Sequence, residues 1–223
     1  YSPSELKDVG FQAKALRAAG MSVQQLVDVN VSLEELKLAG YRASQLREAK
    51  FTAVQLEAMG FTAHELRDGG YTAKQVKASN FQAQEMLSGG FTVAELKEGG
   101  FDATDLKAAG CPVKDLKQGG FSATELHEAS YTPAEIKPAG YKGRELRMAG
   151  YTARELGSIG YNPGMLKEAG FTARDVRDAG FRASSAFNMA ELRKDGFTVR
   201  ELRDENFSLK ELKEGGFTAK QLK

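Results

Sequence analysis

A ten-residue period runs through the whole chain. With an aromatic residue at position 1, the consensus is [Phe/Tyr]-[Thr/Ser]-Ala-x-[Glu/Gln]-Leu-[Lys/Arg]-x-[Ala/Gly]-Gly, and 23 repeats account for all 223 residues. All 13 Phe and all 7 Tyr fall at position 1, and Met21, Val31 and Cys111 occupy it in the three other repeats. So strict a period is typical of solenoids, in which each unit packs only against its neighbours.

The repeats are predicted to form a single array over residues 1–223. Residues 1–180 are regular decapeptides, residues 181–186 are a truncated repeat after which the period slips by four residues, and residues 187–223 are regular again. Neither end has the polar character of a solenoid cap. We therefore expect either a fragment of a longer array, which we favour, or ends that meet other chains.

The truncated repeat is the strongest local irregularity. Ser184, Ser185 and Ala186 stand where other repeats have x-Glu-Leu. A kink, a docking site and a tolerated deletion would each explain it, and we take a tolerated deletion as the default.

The first half of each repeat predicts a helix N-terminus. Position 2 is Ser, Thr, Asn or Asp in 17 of the 23 repeats, and position 5 is usually Glu, Gln or Asp. This spacing is a capping box, in which the position-2 side chain accepts from the backbone N–H of position 5 and the position-5 side chain reaches back. Predicted capping pairs include Thr62 with Glu65 and Thr92 with Glu95. Proline at position 3 in three repeats fits a first helical turn.

The end of each repeat predicts a helix C-terminus. Position 10 is Gly in 16 of the 21 repeats that reach it and Asn in three more. These residues adopt the left-handed conformation after a helix with the least strain, so Gly100 and Gly110 are examples of predicted C-terminal caps. Each repeat therefore reads as one short helix, from about position 3 to position 8 or 9, followed by a glycine turn. Sparse β-branched residues argue against a β-solenoid.

Helices this short are unstable alone and must be stabilised by their neighbours. Positions 3, 6 and 9 share a face that the ring at position 1 can cover, which predicts an all-α solenoid or superhelix of about 23 ten-residue repeats. We see no alternation between odd and even repeats, so every helix is expected in a nearly equivalent environment. The predicted buried Phe/Tyr–Leu seam includes Phe61, Leu66, Phe91, Leu96, Phe101, Leu106, Phe121 and Leu126.

Composition argues against several classes of protein. Lys and Arg number 31 against 30 Asp and Glu, so the chain lacks the basic excess of most nucleic-acid-binding or anionic-membrane-binding proteins. A single cysteine excludes a disulfide framework within this chain. No run of 18 apolar residues and no signal peptide is visible, so we expect a soluble chain and leave its compartment open.

The sequence offers no catalytic, cofactor-binding or metal-binding residues, and we expect no enzyme. His64 and His127 occupy variable positions 4 and 7 and are interpreted as exposed surface residues. Cys111 stands at an aromatic position, which favours a small buried thiol over a nucleophile. The many Glu residues at position 5 are explained by helix capping.

Position 7 forms the one surface row that could bind a ligand. Seventeen repeats carry Lys or Arg there, the last being Lys223. Contact with phosphates or another polyanion is one interpretation. The other, which we favour, is that these cations compensate the helix dipole, because ten repeats carry Asp or Glu at position 8, eight of them directly after a Lys or Arg. The candidate polyanion contacts are Lys97, Lys107, Lys117, Lys137 and Arg147.

Two resemblances accompany the repeat. The string Leu-x-x-Ala-Gly-[Phe/Tyr]-x-[Thr/Ala] resembles the junctions of helix-hairpin-helix DNA-binding domains over about eight residues per repeat, but the Gly-hydrophobic-Gly hairpin that contacts phosphates in those domains is absent. More broadly, the array resembles decapeptide α-helical repeat tracts in proteins of some protists and microbes. That resemblance implies an α-solenoid and no particular activity.

The favoured function is that of a non-enzymatic structural or scaffolding protein with an extended surface for other proteins or for copies of itself. Polyanion or nucleic-acid binding through position 7 is the alternative, and membrane binding is not expected. A designed repeat protein without a natural function is a third interpretation, although the truncated repeat and irregular substitutions are typical of a natural chain.

Overall fold

The computed structural model describes residues 1–222, so Lys223 of the predicted position-7 row lies outside them. It confirms the predicted fold class: the chain is an all-α repeat solenoid, with 21 α-helices, two 3₁₀ helices and no strand between residues 1 and 222. None of these helices is long and apolar enough to cross a membrane. The chain divides into two compact units, unit 1 (Tyr1–Phe121) and unit 2 (Ser122–Lys223).

The helices follow the sequence period closely. Those of unit 1 are α1 (Pro3–Asp8), α2 (Ala13–Ala18), α3 (Val23–Val27), α4 (Leu33–Leu38), α5 (Ala43–Glu48), α6 (Ala53–Ala58), α7 (Ala63–Asp68), α8 (Ala73–Lys77), α9 (Ala83–Ser88), α10 (Val93–Glu98), α11 (Ala103–Ala108) and α12 (Val113–Gln118). Those of unit 2 are α13 (Ala123–Glu128), α14 (Pro133–Ile136), α15 (Gly143–Met148), α16 (Ala153–Ser158), α17 (Pro163–Glu168), α18 (Ala173–Asp178), α19 (Met189–Lys194), α20 (Val199–Asp204) and α21 (Leu209–Glu214).

Capping boxes start most of these helices. The Thr62 hydroxyl accepts a hydrogen bond from the Glu65 N–H at 3.2 Å, and the Glu65 carboxylate accepts one from the Thr62 N–H at 2.8 Å. Thr92 and Glu95 repeat the arrangement at 3.2 and 2.7 Å. Each box satisfies backbone N–H groups that a helix start leaves unpaired, and such a cap is worth about 1 kcal/mol.

A left-handed residue ends almost every helix. Among the described residues, position 10 has a positive φ in every repeat except that of Asn80; Gly100 has φ +91° and Gly110 φ +70°. The N–H of the next position-1 residue then donates to the carbonyl of position 6, as Phe101 does to Leu96 at 3.0 Å. This bond, spanning five residues, holds the backbone of the position-1 residue against the end of the preceding helix.

Within each unit, a helix packs mainly against the helix two repeats along. Helix α5 contacts α7, α7 contacts α9, and in unit 2 helix α15 contacts α17. The contact joins position 3 of one helix to position 9 of the other. A Cβ atom added to Gly69 would lie 2.6 Å from the Cβ of Ala43, which explains why positions 3 and 9 carry small residues. Odd and even helices of unit 1 therefore form two stacks, which also contact each other.

The core of both units consists of positions 1, 3 and 6. Position 6 is essentially inaccessible, with Leu66 and Leu96 each 0% exposed. Every predicted seam residue is buried: Phe61, Leu66, Phe91, Leu96, Phe101, Leu106, Phe121 and Leu126. Burial of these rings and leucines stabilises helices that are too short to form in isolation.

Two repeats of unit 2 depart from the pattern. Pro138 lacks the N–H that a helix needs, so α14 ends early and continues as a 3₁₀ helix, Lys137–Ala139. The truncated repeat keeps only a second 3₁₀ helix, Ala183–Ser185. The N–H and hydroxyl of Ser184 both donate to the buried carboxylate of Glu205, at 3.0 and 2.8 Å.

Candidate functional site

Exposed side chains that vary between repeats concentrate at two positions of the repeat. Position 8 is exposed in every described repeat that is long enough to have one. Position 4 is exposed except at Ser44 and Ser184, which are half-buried. Positions 1, 3 and 6 are mostly buried, while positions 2, 5 and 10 carry the caps. The surface that differs from repeat to repeat therefore consists largely of positions 4 and 8.

The position-7 cations contact the end of the helix two repeats along. Lys97 Nζ donates to the Gly120 carbonyl at 2.7 Å, and Lys137 Nζ donates to the Ile159 carbonyl at 2.5 Å. These carbonyls lie at positions 9 and 10, where a helix leaves acceptors unpaired. The cations thus compensate the negative end of a neighbouring helix as well as of their own.

The same cations also lie over aromatic rings three repeats along the chain. Lys97 Nζ is 4.5 Å from the centre of the Phe121 ring. Arg147 donates from Nε to the Ala169 carbonyl at 3.0 Å, with its guanidinium carbon 5.9 Å from the Phe171 ring centre. Cation–π contacts of this kind add an electrostatic attraction to the packing of the aliphatic part of the Lys or Arg side chain.

The remaining candidate polyanion residues lie in equivalent places. Lys107 and Lys117 are half-buried in the last turns of α11 and α12. The structure therefore places all five predicted cations near helix ends. Each lies either beside carbonyls of the solenoid or in the last turn of its helix.

Grooves repeat along the surface between helices of the same stack. Each is lined by positions 7 and 10 of one repeat, positions 1 to 4 of the next, and positions 1, 5 and 8 of the repeat two further on. The structure shows them between α5 and α7 (about 520 Å³), α6 and α8 (710 Å³), α7 and α9 (630 Å³), α8 and α10 (630 Å³), and, in unit 2, α16 and α18 (550 Å³).

Positions 4 and 8 meet in these grooves. The α5/α7 groove brings together Ser44 and Asp68, and the α8/α10 groove brings together Lys74 and Glu98. Residues 24 apart in sequence thus define the chemistry of each groove. This pairing could not be read from the sequence, because it depends on which helices stack.

The odd and even stacks differ in charge at position 8 of the first eight repeats, which corrects the expectation that odd and even repeats are alike. In the first eight repeats, position 8 is acidic in the odd stack, at Asp8, Asp28, Glu48 and Asp68. It is apolar in the even stack, at Ala18, Leu38, Ala58 and Ala78. A comparison of residues 20 apart, rather than 10 apart, would have found this alternation in the sequence.

Hydrogen bonds and burial shift the pKa of several side chains. Bonds from the backbone and hydroxyl of Thr152 lower the pKa of Glu155, as the Thr92 cap does for Glu95. Burial raises the pKa of Tyr151 to about 12. Its hydroxyl donates to the Tyr131 backbone carbonyl at 2.6 Å, which joins residues two repeats apart. These shifts all have structural causes.

The two histidines and the cysteine differ in their surroundings. The side chain of His64 is 66% exposed, as expected, and lies 3.4 Å from the Asp68 carboxylate. His127 is half-buried rather than exposed, because its ring packs edge-on against Tyr151 at 4.7 Å. Cys111 is buried, which raises the pKa of its thiol. Between residues 1 and 222, no three His, Cys, Asp or Glu side chains are grouped to hold a metal ion.

Comparison with known proteins adds one finding. A family model described as a decapeptide repeat region matches residues 1–72, 60–133 and 120–186. No curated protein matches the chain.

Proposed function

Because the chain belongs to the decapeptide repeat family, whose model covers residues 1–186 in three overlapping segments, we propose that it is a non-enzymatic scaffolding protein. Its exposed grooves and helix faces would bind other proteins or further copies of the chain. The observation that carries this proposal is that the variable side chains at positions 4 and 8 are exposed, whereas the other positions pack in the core or cap the helices.

The charge of the two stacks supports protein partners over polyanions. The first four odd repeats of unit 1 present acidic side chains at position 8, which would repel a nucleic acid. The position-7 cations donate to carbonyls of the solenoid, so binding phosphates would require them to exchange these bonds. A surface on which position 8 is acidic in one stack and apolar in the other, as in the first eight repeats, is suited to a partner with complementary charge.

The test combines self-association with partner capture. Sedimentation velocity over a wide concentration range measures assembly of the chain, and affinity capture with quantitative mass spectrometry measures bound proteins. The same experiments use the variant Asp28→Lys/Asp68→Lys, which reverses two exposed charges in the odd stack. The matched control is Lys14→Gln, an exposed change in the even stack.

We expect the wild-type chain to self-associate or to retain specific proteins, and the charge-reversed variant to lose this binding while keeping its helicity and Tm. Absence of both kinds of binding, or binding unaffected by the reversal, would contradict the proposal. Retention on heparin that falls steeply with salt would instead support the polyanion interpretation.

A further inference from the structure

We propose that the α6/α8 groove of unit 1 binds a partner peptide through an apolar side chain flanked by carboxylates. The inference rests on the proposed scaffolding function and names one of its binding sites. Three departures from the repeat coincide in this groove: an apolar mouth, a half-exposed ring and an unpaired lysine in a strained conformation.

The apolar mouth distinguishes this groove from the others. Val54 at position 4 and Ala78 at position 8 line it, and Val54 is 46% exposed. In the four other grooves, both of these positions carry polar or charged side chains: Ser44 with Asp68, His64 with Ser88, Lys74 with Glu98, and Arg154 with Asp178. At about 710 Å³ it also exceeds each of those grooves in volume.

The aromatic ring of this groove is more accessible than most. Phe51 is half-buried, whereas Phe61 and Tyr71 are 5% and 3% exposed. In other repeats a Lys or Arg at position 7 lies over the ring 24 residues later, as Lys37 lies 5.0 Å from the Phe61 ring centre. The residue 24 positions before Phe51 is Val27, which is too short to extend over the ring in the same way.

Lys50 provides a charge beside this apolar surface. It stands at position 10, where the other four grooves have glycine, and its backbone is left-handed at φ +70°. The other three non-glycine residues with positive φ are Asn30, Asn206 and Ser130, and the two asparagines have short polar side chains that tolerate this region better. Strain of this kind is a reason to look for a function.

Charge complementarity selects an acidic partner. The side chain of Lys50 makes no hydrogen bond or ion pair with the described residues, and Arg47 uses one guanidinium nitrogen to donate to the Gly70 carbonyl at 2.9 Å. Glu48 contributes one opposite charge, so the rim keeps a net positive charge. An apolar side chain would cover Phe51 and Val54 while an adjacent carboxylate would pair with Lys50.

The experiment uses fluorescence anisotropy of the full chain with the fluorescein-labelled peptide Glu-Asp-Leu-Phe-Asp-Glu. Two comparison peptides replace either its acids by lysine or its Leu-Phe by Ser-Ser. The protein variants are Lys50→Gly, Lys50→Arg and Val54→Ser, with Lys14→Gln as the control for loss of an exposed charge elsewhere in unit 1. Decanoate serves as a competitor that is not a peptide.

We expect only the acidic, apolar peptide to bind. Lys50→Gly should raise Kd at least fivefold while raising Tm, because glycine relieves the left-handed strain; loss of folding therefore cannot explain the weaker binding. Val54→Ser should also raise Kd, whereas Lys50→Arg and Lys14→Gln should leave it within twofold.

No binding of the acidic, apolar peptide overturns the proposal, as does equal binding of the Ser-Ser peptide or a Kd unchanged by both Lys50→Gly and Val54→Ser. Binding of decanoate without binding of the peptide assigns the groove to a different ligand class and overturns it as well. If the groove fails in these ways while charge reversal at Asp28 and Asp68 still abolishes partner capture, the scaffolding function stands without this site.

Discussion

At the scale of single residues, the contact between positions 3 and 9 controls how closely two stacked helices approach. A Cβ atom added to Gly119 would collide with a methyl group of Val93. Elsewhere in unit 1, Ala83 and Ala109 occupy the equivalent two positions. The side chains that fit at positions 3 and 9 therefore depend on their combined size, because a close-packed interior resists even one added methyl group.

This pair gives a double-mutant prediction. Gly119→Ala alone should destabilise the protein by about 1–3 kcal/mol through overpacking. Val93→Ala alone should cost about 1–2 kcal/mol through lost apolar burial. The double variant should be less destabilised than the sum, since it reproduces the Ala83–Ala109 pair. Urea denaturation of the four proteins measures the coupling, and strictly additive free energies would show that the two side chains do not compete for space.

At the scale of the helix, the ionised capping box of α20 links stability to pH. Hydrogen bonds from the backbone and hydroxyl of Thr198 lower the pKa of Glu201 to about 2, and Arg177 adds a further hydrogen bond. A carboxylate whose pKa is lower in the folded state contributes stability above its unfolded pKa and loses it as the pH falls through the folded value. The relevant window therefore runs from about pH 4.5 down to about pH 2.

Replacing Glu201 by Gln should remove this part of the acid sensitivity. An amide can still accept from the N-cap, as Gln75 does from the Thr72 N–H at 2.9 Å, but it does not titrate. We expect the wild-type protein to lose more stability than Glu201→Gln between pH 4.5 and pH 2, measured by urea unfolding at each pH. The matched control, Glu214→Gln, removes an exposed carboxylate at position 8. An equal slope for wild type and Glu201→Gln would contradict the assigned role.

The elements that the sequence predicts are those formed by local contacts. Capping boxes and glycine turns join residues three to five positions apart, so Thr62 with Glu65 and the left-handed Gly100 could be predicted from local spacing. The truncated repeat could be located but not interpreted. Its Ser184 is held by Glu205, 21 residues later, and such a contact depends on tertiary packing.

At the scale of each compact unit, the choice of neighbour could not be predicted. Every repeat offers the same apolar face, so period and burial alone permit contact with the next helix or with the one after it. The structure selects helices 20 residues apart, and this choice creates the odd and even stacks, the pairing of Val54 with Ala78, and the acidic row that includes Asp28 and Asp68. The candidate grooves could not be predicted for the same reason.

Stacking by alternate helices also predicts how a local defect spreads. Leu66 of α7 is 0% exposed, and replacing a buried leucine by alanine costs about 2–5 kcal/mol. Since α7 packs chiefly against α5 and α9, amide exchange in the Leu66→Ala variant should accelerate in Ala43–Glu48 and Ala83–Ser88 as well as in α7 itself. Hydrogen-exchange mass spectrometry measures this directly.

The matched control for this prediction is Leu38→Ala, because Leu38 is 77% exposed and its truncation removes little buried surface. It should leave both exchange and Tm nearly unchanged. Acceleration confined to α7 and its sequence neighbours α6 and α8 would mean that chain connectivity, rather than stacking, carries the cooperativity. Acceleration that reaches α5 and α9 would instead locate the stabilising interfaces between repeats two apart, where positions 3 and 9 meet.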